Sequence, residues 1–416
     1  MTIDMHVLDH IKLISKECPE NKTVLLRVDF NVSLNANHKI ADDLRIKATI
    51  PTIHKLLEHN NKIIIISHLG EPEKNLPAGR QGEEKYSLTP IVKDLQKYLP
   101  ENKVKLIRDF ESPEGRKEIE GEEEREITLL ENIRFYPEER SGSRVRPGMT
   151  REAFAKDLAS LGDVYVNDAF GVSHRKDASI VLLPTLLPSY AGLLLEKEIT
   201  AISKVLDNPK MPVVTIIGGA KIDTKIQFLS KLTEIADFLL LGGGIANTIL
   251  KDEGKEIGKS LFSSDQKQNV EHLLSLAKKH HTEIDLPKDF TGVQQNKIET
   301  YRTNQIPSNF SIKDIGPETE ALWGEIISKA NTIIWNGPVG YIEEEPFTRG
   351  TEFIYYSITQ NTHAYSLVGG GDTLAAISKE EYLDKISHIS TGGGALLEFI
   401  ENGTLPGIEA LRISNF

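Results

Sequence analysis

The sequence predicts an α/β chain of two lobes, each a parallel sheet covered by helices, joined by an interdomain helix. Three observations carry this. Short apolar, β-branched runs alternate with longer stretches of helical spacing, the pattern of strand, crossover helix and parallel strand. The alternation occurs twice, on either side of a long uncharged segment. A chain of 416 residues also exceeds one ordinary domain of roughly 150 residues.

In chain order, first-lobe strands are expected over Val24 to Val28, Lys62 to Ile66, Val104 to Ile107, Ile127 to Leu130 and Val164 to Val166, with helices between, such as Arg151 to Leu161. Residues 111–126 hold eight glutamates against three basic residues and read as a solvated surface segment. The run LPAGRQGEE, Leu76 to Glu84, has turn residues and no period, so it reads as an exposed loop. Ala178 to Leu195 carries no charge over eighteen residues, near the lower limit for a membrane-spanning helix. Pro184 and Pro188 would break the backbone ladder of a lone helix in lipid, so the segment reads as a buried connector. It leads into the interdomain helix, Leu193 to Leu206. Second-lobe strands follow over Val213 to Ile217, Phe238 to Leu241, Thr332 to Trp335 and Ala364 to Val368.

Composition narrows the partners. The net charge of −12 argues against a chain that coats nucleic acid or an anionic membrane, so neither is expected as a partner. Any anionic ligand must then be met by cations gathered locally. The single cysteine, Cys18, excludes an internal disulfide and a cysteine zinc site, and no secretory signal opens the chain. A reducing compartment, the cytoplasm, is the expectation.

Ligands of parallel sheets bind outside the carboxyl ends of the strands. In the first lobe those ends offer Arg27, Asp29 and Asn31; Ser67 and His68; Glu131, Asn132 and Arg134; and Asn167, Asp168, His174 and Arg175, with Arg45 opening the first helix. Several arginines on one sheet edge suit a small, densely anionic molecule, because guanidinium offers a planar fork to carboxylate and phosphate. In the second lobe the ends are glycine-rich: Gly218 and Gly219 before Lys221, Gly242 to Gly244, Gly337 with Pro338 and Gly340, and Gly369 to Gly371 before Asp372 and Thr373. A further run spans Gly392 to Gly394. Glycine lets backbone approach a ligand, and the following helix directs its N–H groups toward phosphate.

Familiar phosphate motifs fail on inspection. GKEIGKS, Gly254 to Ser260, has three residues between its glycines where a Walker loop needs four, and Asn247 and Leu374 stand where a dinucleotide fingerprint needs its last glycine. A nicotinamide dehydrogenase is the rival enzyme, and a non-catalytic nucleotide-binding scaffold the rival of another class. One lobe suited to a small anion and one to a nucleotide point to phosphoryl transfer, with Lys221 as mobile cation and Asp372 as magnesium carboxylate.

The motifs RVDFN, DDLRIKA, SHLG, LLENIRF, AFG before SHR, IGGAK followed four residues later by Lys225, LLLGGGIA, WNGPVG with Glu343, EPFTRGT, VGGGDT and STGGGALLE occur in this order. On them the chain resembles the phosphoglycerate kinases along essentially its whole length. The resemblance implies two Rossmann-like three-layer lobes joined by the helix and a hinge: residues 1–187 with a C-terminal return over 405–416 for 3-phosphoglycerate, and 188–404 for nucleotide. It implies a monomer that transfers phosphate reversibly between ATP and the carboxylate of 3-phospho-D-glycerate, giving ADP and 1,3-bisphosphoglycerate, in glycolysis and gluconeogenesis.

Carried over by position, Asp29, Asn31, Arg45, His68, Arg134 and Arg175 bind phosphoglycerate, with His174 beside them. Gly219, Lys221, Lys225, Gly242, Gly243, Asn336, Pro338, Glu343, Gly370, Gly371, Asp372 and Thr373 bind nucleotide, and Asp372 meets magnesium. Arg45, Lys221, Gly371 and Gly394 are the expected catalytic positions, Arg45 and Lys221 flanking the moving phosphoryl group. Two departures stand out: Ser33 where the family's first signature ends in proline, and Glu71 where the family has arginine after SHLG. The expectation is that Glu71 turns outward while Lys74 or Arg80 supplies the missing charge.

Overall fold

Strands hidden on both faces read as continuous apolar runs rather than alternating ones, and KIIII at Lys62–Ile66 does so literally, with all four isoleucines buried. The computed structural model describes residues 7–35, 37–72, 84–121, 126–140, 142, 145, 146, 148–377 and 380–414. The chain divides into two compact units, Met1–Thr200 with Asn402–Phe416, and Ala201–Glu401.

The first unit holds β1 (Thr23–Arg27), β2 (Lys62–Ile66), β3 (Lys103–Ile107), β4 (Glu126–Leu130), β5 (Val164–Asn167) and β6 (Ser189–Ala191). Their order is β3-β4-β2-β1-β5-β6, every neighbouring pair parallel. β1 lies between β2 and β5, with Leu25 facing Ile64 on one side and Tyr165 on the other. Here the connections diverge to opposite edges, which opens a crevice at the strands' carboxyl ends. The helix Leu44–Glu58 buries Ile46, Ile53 and Leu56 in one core with Val24, Leu26, Ile63 and Ile65. The C-terminal helix Pro406–Ile413 returns to this unit, where the Gly407 N–H donates to the Ser173 carbonyl at 2.8 Å. A side chain on Gly407 would stand 2.7 Å from Ile180, so glycine permits the approach.

The second unit holds β7 (Val213–Ile217), β8 (Phe238–Leu241), β9 (Glu283–Asp285), β10 (Asp289–Gln294), β11 (Lys297–Arg302), β12 (Ser311–Ile315), β13 (Thr332–Asn336), β14 (Tyr365–Gly369) and β15 (His388–Ser390). Six form a parallel sheet in the order β15-β14-β13-β7-β8-β9, so the switch in direction lies between β7 and β13. The other three form a separate antiparallel sheet, β11-β10-β12.

Each expected strand is present within a residue or so of its bounds, and the helices Arg151–Ala159 and Leu193–Leu206 stand where spacing placed them. The antiparallel sheet and the three-residue strands β6, β9 and β15 are additions. β6 pairs with β5, so the segment after 187 still belongs to the first sheet, and the chain passes between units within Leu193–Leu206. The uncharged connector is a short helix Ala178–Val181, a 3-10 turn Leu183–Thr185 and β6. Among the described residues no helix is long and apolar enough to cross a membrane. Within the acidic segment, Pro113–Glu120 is a helix capped by the Ser112 hydroxyl. Glu126 is not solvated as expected, because it opens β4 buried and paired with Lys105 at 3.3 Å.

Candidate functional site

In the first unit the loops after β1, β2, β4 and β5 meet at one edge. Asp29 is the hub of the β1 loop: its Oδ2 takes Arg45 Nη1 at 2.6 Å, and its Oδ1 accepts the Asn31 N–H at 3.1 Å and lies 3.8 Å from His68 Nδ1. His68 is enclosed. Burial first, then the guanidinium charges of Arg134, Arg27, Arg45 and Arg175, hold its pKa well below the usual 6.5, so the imidazole is neutral in a field built for an anion. Asn31 Oδ1 accepts the Gly70 N–H at 2.8 Å, and the Gly70 carbonyl takes Arg134 Nη1 at 3.0 Å.

The expectation for Glu71 is overturned. Its carboxylate points into the cations, with Oε1 2.7 Å from Arg134 Nη1 and 3.7 Å from Arg175 Nη2, and Oε2 2.9 Å from Arg140 Nη2. The Arg134 and Arg140 side chains are only 2% and 11% exposed, and a buried guanidinium without a counter-charge is costly. Glu71, 58% exposed at the mouth, supplies that charge. Burial lowers the Arg134 pKa, while Glu71 and Asp177 oppose the shift. Lys74 and Arg80 lie outside the described residues. Arg140 is a member of this cluster that motif reading missed; the only signal was its place just past LLENIRF.

Other strand-end residues turn out to hold backbone. Arg27 is fully buried and its Nε donates to Ser179 Oγ at 2.8 Å, whose hydroxyl donates in turn to Glu139 Oε1 at 2.6 Å. Burial, with Asp177 nearby, raises the Glu139 pKa to about 7. Glu131 accepts from Ser87 Oγ and the Leu88 N–H at 2.9 and 2.8 Å, and Asn132 Nδ2 donates to the Leu69 and Tyr86 carbonyls at 2.8 and 2.9 Å. Asp168 accepts the Leu194 and Leu195 N–H groups at 2.8 and 3.2 Å, capping the helix Leu193–Leu206, and burial raises its pKa to about 7. His174 is half-buried beside Arg175.

In the second unit the crevice at the β7/β13 switch is a cleft of about 670 Å³. Of the expected residues, Gly219, Gly243, Pro338, Glu343 and Asp372 line it. Close backbone packing explains the glycines. A Cβ on Gly218 would lie 1.9 Å from the Pro338 carbonyl oxygen, and Gly219 adopts φ +115°. Gly242 packs against Val339, and the Gly243 N–H is taken by the Val339 carbonyl at 3.1 Å, so this helix start is tied to protein rather than offered to phosphate.

Lys225 Nζ donates to the Gly218 carbonyl and to Asn336 Oδ1, each at 2.8 Å. Burial drops its pKa from 10.5 to about 8, with Asp372 opposing. Asn336 Nδ2 holds the Gly369 carbonyl at 3.0 Å, and Thr373 Oγ1 takes the Gly337 N–H at 2.7 Å, so β13 and the Gly370–Thr373 turn are locked together. Lys221 is exposed. Among the described residues, no heavy atom outside the adjoining backbone lies within 4 Å of where a side chain on Gly371 or Gly394 would project.

Asp372 is exposed on the cleft wall. Among the described residues no group of three or more histidine, cysteine or acidic side chains could hold a metal alone. That donor set fits magnesium carried by a nucleotide, which needs one or two carboxylates and takes its remaining ligands from phosphate and water.

Motif reading missed one wall of the cleft. Lys259, Ser260, Leu261 and Phe262, at the end of the failed Walker segment, line it with Tyr341 and Ile342. β10 and β12 add Phe290, Ile312 and Asp314, whose pKa burial raises to about 8. The sequence signal was only the apolar pair Leu261 and Phe262 just past GKEIGKS, and the structure leaves these large side chains 62% and 41% exposed.

Comparison with known proteins points to one family. A family model described as phosphoglycerate kinase matches residues 15–403. A phosphoglycerate kinase of Moorella thermoacetica is 42% identical over 395 residues, covering 94% of this chain and 96% of the relative. Among solved structures, phosphoglycerate kinase from Coxiella burnetii superposes with TM-score 0.80 at 36% identity, covering 96% of this chain and 98% of that one. Phosphoglycerate kinase from Pyrococcus horikoshii OT3 does so with TM-score 0.82 at 30% identity, covering 97% and 99%.

Proposed function

The chain belongs to the phosphoglycerate kinase family, and we propose that its two strand-end sites divide that family's reaction between them. The reaction is reversible transfer of a phosphoryl group between ATP and the carboxylate of 3-phospho-D-glycerate, giving ADP and 1,3-bisphosphoglycerate. The observation that carries the assignment is the convergence of Arg134, Arg140 and Arg175 on a single carboxylate beside the Asp29–Arg45–His68 group. Such a cluster is chemistry for a small phosphorylated acid.

In this reading Arg134 and Arg175 take the phosphate of phosphoglycerate, while Asp29, Asn31 and neutral His68 receive its hydroxyl and orient its carboxylate. The second-unit cleft takes the nucleotide: Gly242, Gly243, Pro338 and Glu343 hold the base and ribose side, and Gly219, Lys221, Lys225 and the Gly370–Thr373 turn hold the phosphates. Asp372 would hold magnesium, which would supply positive charge against the nucleotide phosphates.

The nucleophile is a carboxylate already ionised at neutral pH, so no general base is needed. His68, held neutral, is suited to hydrogen bonding rather than proton removal. Catalysis falls to in-line positioning and to cations at the transferring group, Arg45 and Lys221, with the backbone at Gly371 and Gly394. We further place the protein as a monomer in a reducing, cytoplasmic setting.

A coupled assay with ATP, magnesium and 3-phosphoglycerate, read as ADP release, tests the function. Turnover must vanish when 3-phosphoglycerate is omitted. Tight ATP binding without turnover would leave only a nucleotide-binding scaffold.

A further inference from the structure

Glu71 and Arg140 form a pair that the family's pattern does not assign. Three guanidinium groups, on Arg134, Arg140 and Arg175, surround one carboxylate at 2.7 to 3.7 Å. Among the described residues, Asp177 is the other carboxylate that pairs with these three arginines, 3.8 Å from Arg134 Nη2. Among the described residues three positive groups thus face two negative ones. Among the described residues Arg134 Nε, Arg140 Nε and Arg140 Nη2 are buried without a hydrogen-bond partner, as is the acceptor Asp177 Oδ2, so the cluster's donors are left unsatisfied by the acceptors as they stand. Glu71 satisfies it partly, from a side chain that is half exposed and able to leave, whereas Arg134 and Arg140 are enclosed and fixed.

We propose that Arg140 is a substrate-phosphate contact in this chain, and that Glu71 is a built-in anion holding Arg134, Arg140 and Arg175 in place until the substrate phosphate displaces it. The proposal rests on the assignment of phosphoglycerate to this unit. A phosphate dianion in the place of the Glu71 carboxylate would balance the three guanidinium groups against itself and Asp177. It also offers three acceptor oxygens where the carboxylate offers two, matching planar forks that approach from different loops. Arg140 reaches the point from just past the β4 loop that carries Arg134, so it supplies a cation where Glu71 stands in place of the family's arginine. The consequence is competition: an internal anion weakens phosphoglycerate binding by the free energy needed to displace it.

The test is calorimetric binding of 3-phosphoglycerate together with steady-state KM for 3-phosphoglycerate and for ATP. The variants are Glu71→Gln, Arg140→Gln and Arg140→Lys. Glu71→Gln should tighten phosphoglycerate binding by about fivefold or more, since a neutral amide competes less well for guanidinium. Arg140→Gln should weaken it by about tenfold or more, the cost of one charge-assisted contact. Arg140→Lys should fall between, keeping charge but not the fork. KM for ATP should stay within about twofold in all three, because the change is confined to phosphoglycerate binding.

Weaker or unchanged phosphoglycerate binding in Glu71→Gln overturns the displaced-anion role, and unchanged binding in Arg140→Gln overturns the contact. If Arg140→Gln does not fold, Glu71→Gln and Arg140→Lys still decide. Should Arg134→Gln and Arg175→Gln also leave phosphoglycerate binding unchanged, the placement of substrate in this unit fails, not the part played by Arg140 alone.

Discussion

Lys225 offers a direct measurement of nucleotide phosphate at the second-unit cleft. Its ammonium sits on the Gly218 carbonyl and Asn336 Oδ1 with a pKa lowered by burial to about 8. At pH 8 about half of the free protein therefore carries a neutral amine there. A phosphate anion bound beside it favours the charged form and drives the pKa back toward 10.5. Nucleotide binding must then take up protons: about 0.5 per site at pH 8, about 0.1 at pH 7 and about 0.9 at pH 9. The sign is fixed, because binding raises a depressed pKa, so affinity falls as pH climbs through 8. The assay is titration calorimetry of magnesium ATP in buffers of differing ionisation enthalpy, with Lys225→Met as control. ATP phosphates are fully ionised at pH 8 and add no protons of their own. An uptake near zero at pH 8, or one that survives in Lys225→Met, would refute the placement of phosphate against this residue.

Two more predictions separate structural from functional groups. Gly218→Ala puts a methyl 1.9 Å from the Pro338 carbonyl oxygen and should cost about 3 kcal/mol in chemical denaturation. Gly371→Ala meets no neighbouring atom among the described residues and should melt like the parent, yet raise KM for ATP or lower kcat if the turn cradles phosphate. Asp168, raised by burial to about 7 against 3.8 when unfolded, contributes stability that is fully present below that unfolded value and is lost as pH rises through 7. Asp168→Asn keeps the acceptor for Leu194 and Leu195 without the charge. Its stability should match the parent near pH 4 and exceed it at pH 8 by up to about 4 kcal/mol, and equal pH profiles of the two melting temperatures would refute this.

Much of the fold was legible locally. KIIII at 62–66 and VVTII at 213–217 are continuous apolar runs that announce strands buried on both faces. Glycines after β7, β8, β13 and β14 announce turns at the ligand edge. The antiparallel sheet β10–β12 was not legible. β11 reads KIETYR and is largely exposed, so no strong period marks it, yet β10 and β12 build one wall of the second-unit cleft. Strands β6, β9 and β15 are three residues each, too short for a pattern to register and specified by the neighbour they pair with.

Residue type and order thus determined two α/β units, their glycine-rich and arginine-rich strand ends, and the family, because these depend on periodicity and turn chemistry carried within a few neighbouring residues. Only the tertiary structure decided which of those polar groups face a ligand. Arg27 and Arg134 both stand at strand ends, yet packing turns one inward to Ser179 and the other toward the cluster that holds Glu71. The parallel sheet brings the loops after β4, β2 and β5 to one edge, with the β1 loop between the last two, so residues 71, 134, 140 and 175 come within ion-pair reach. No local pattern encodes that meeting, and the acid at position 71 acquires its meaning from three arginines distant in the chain.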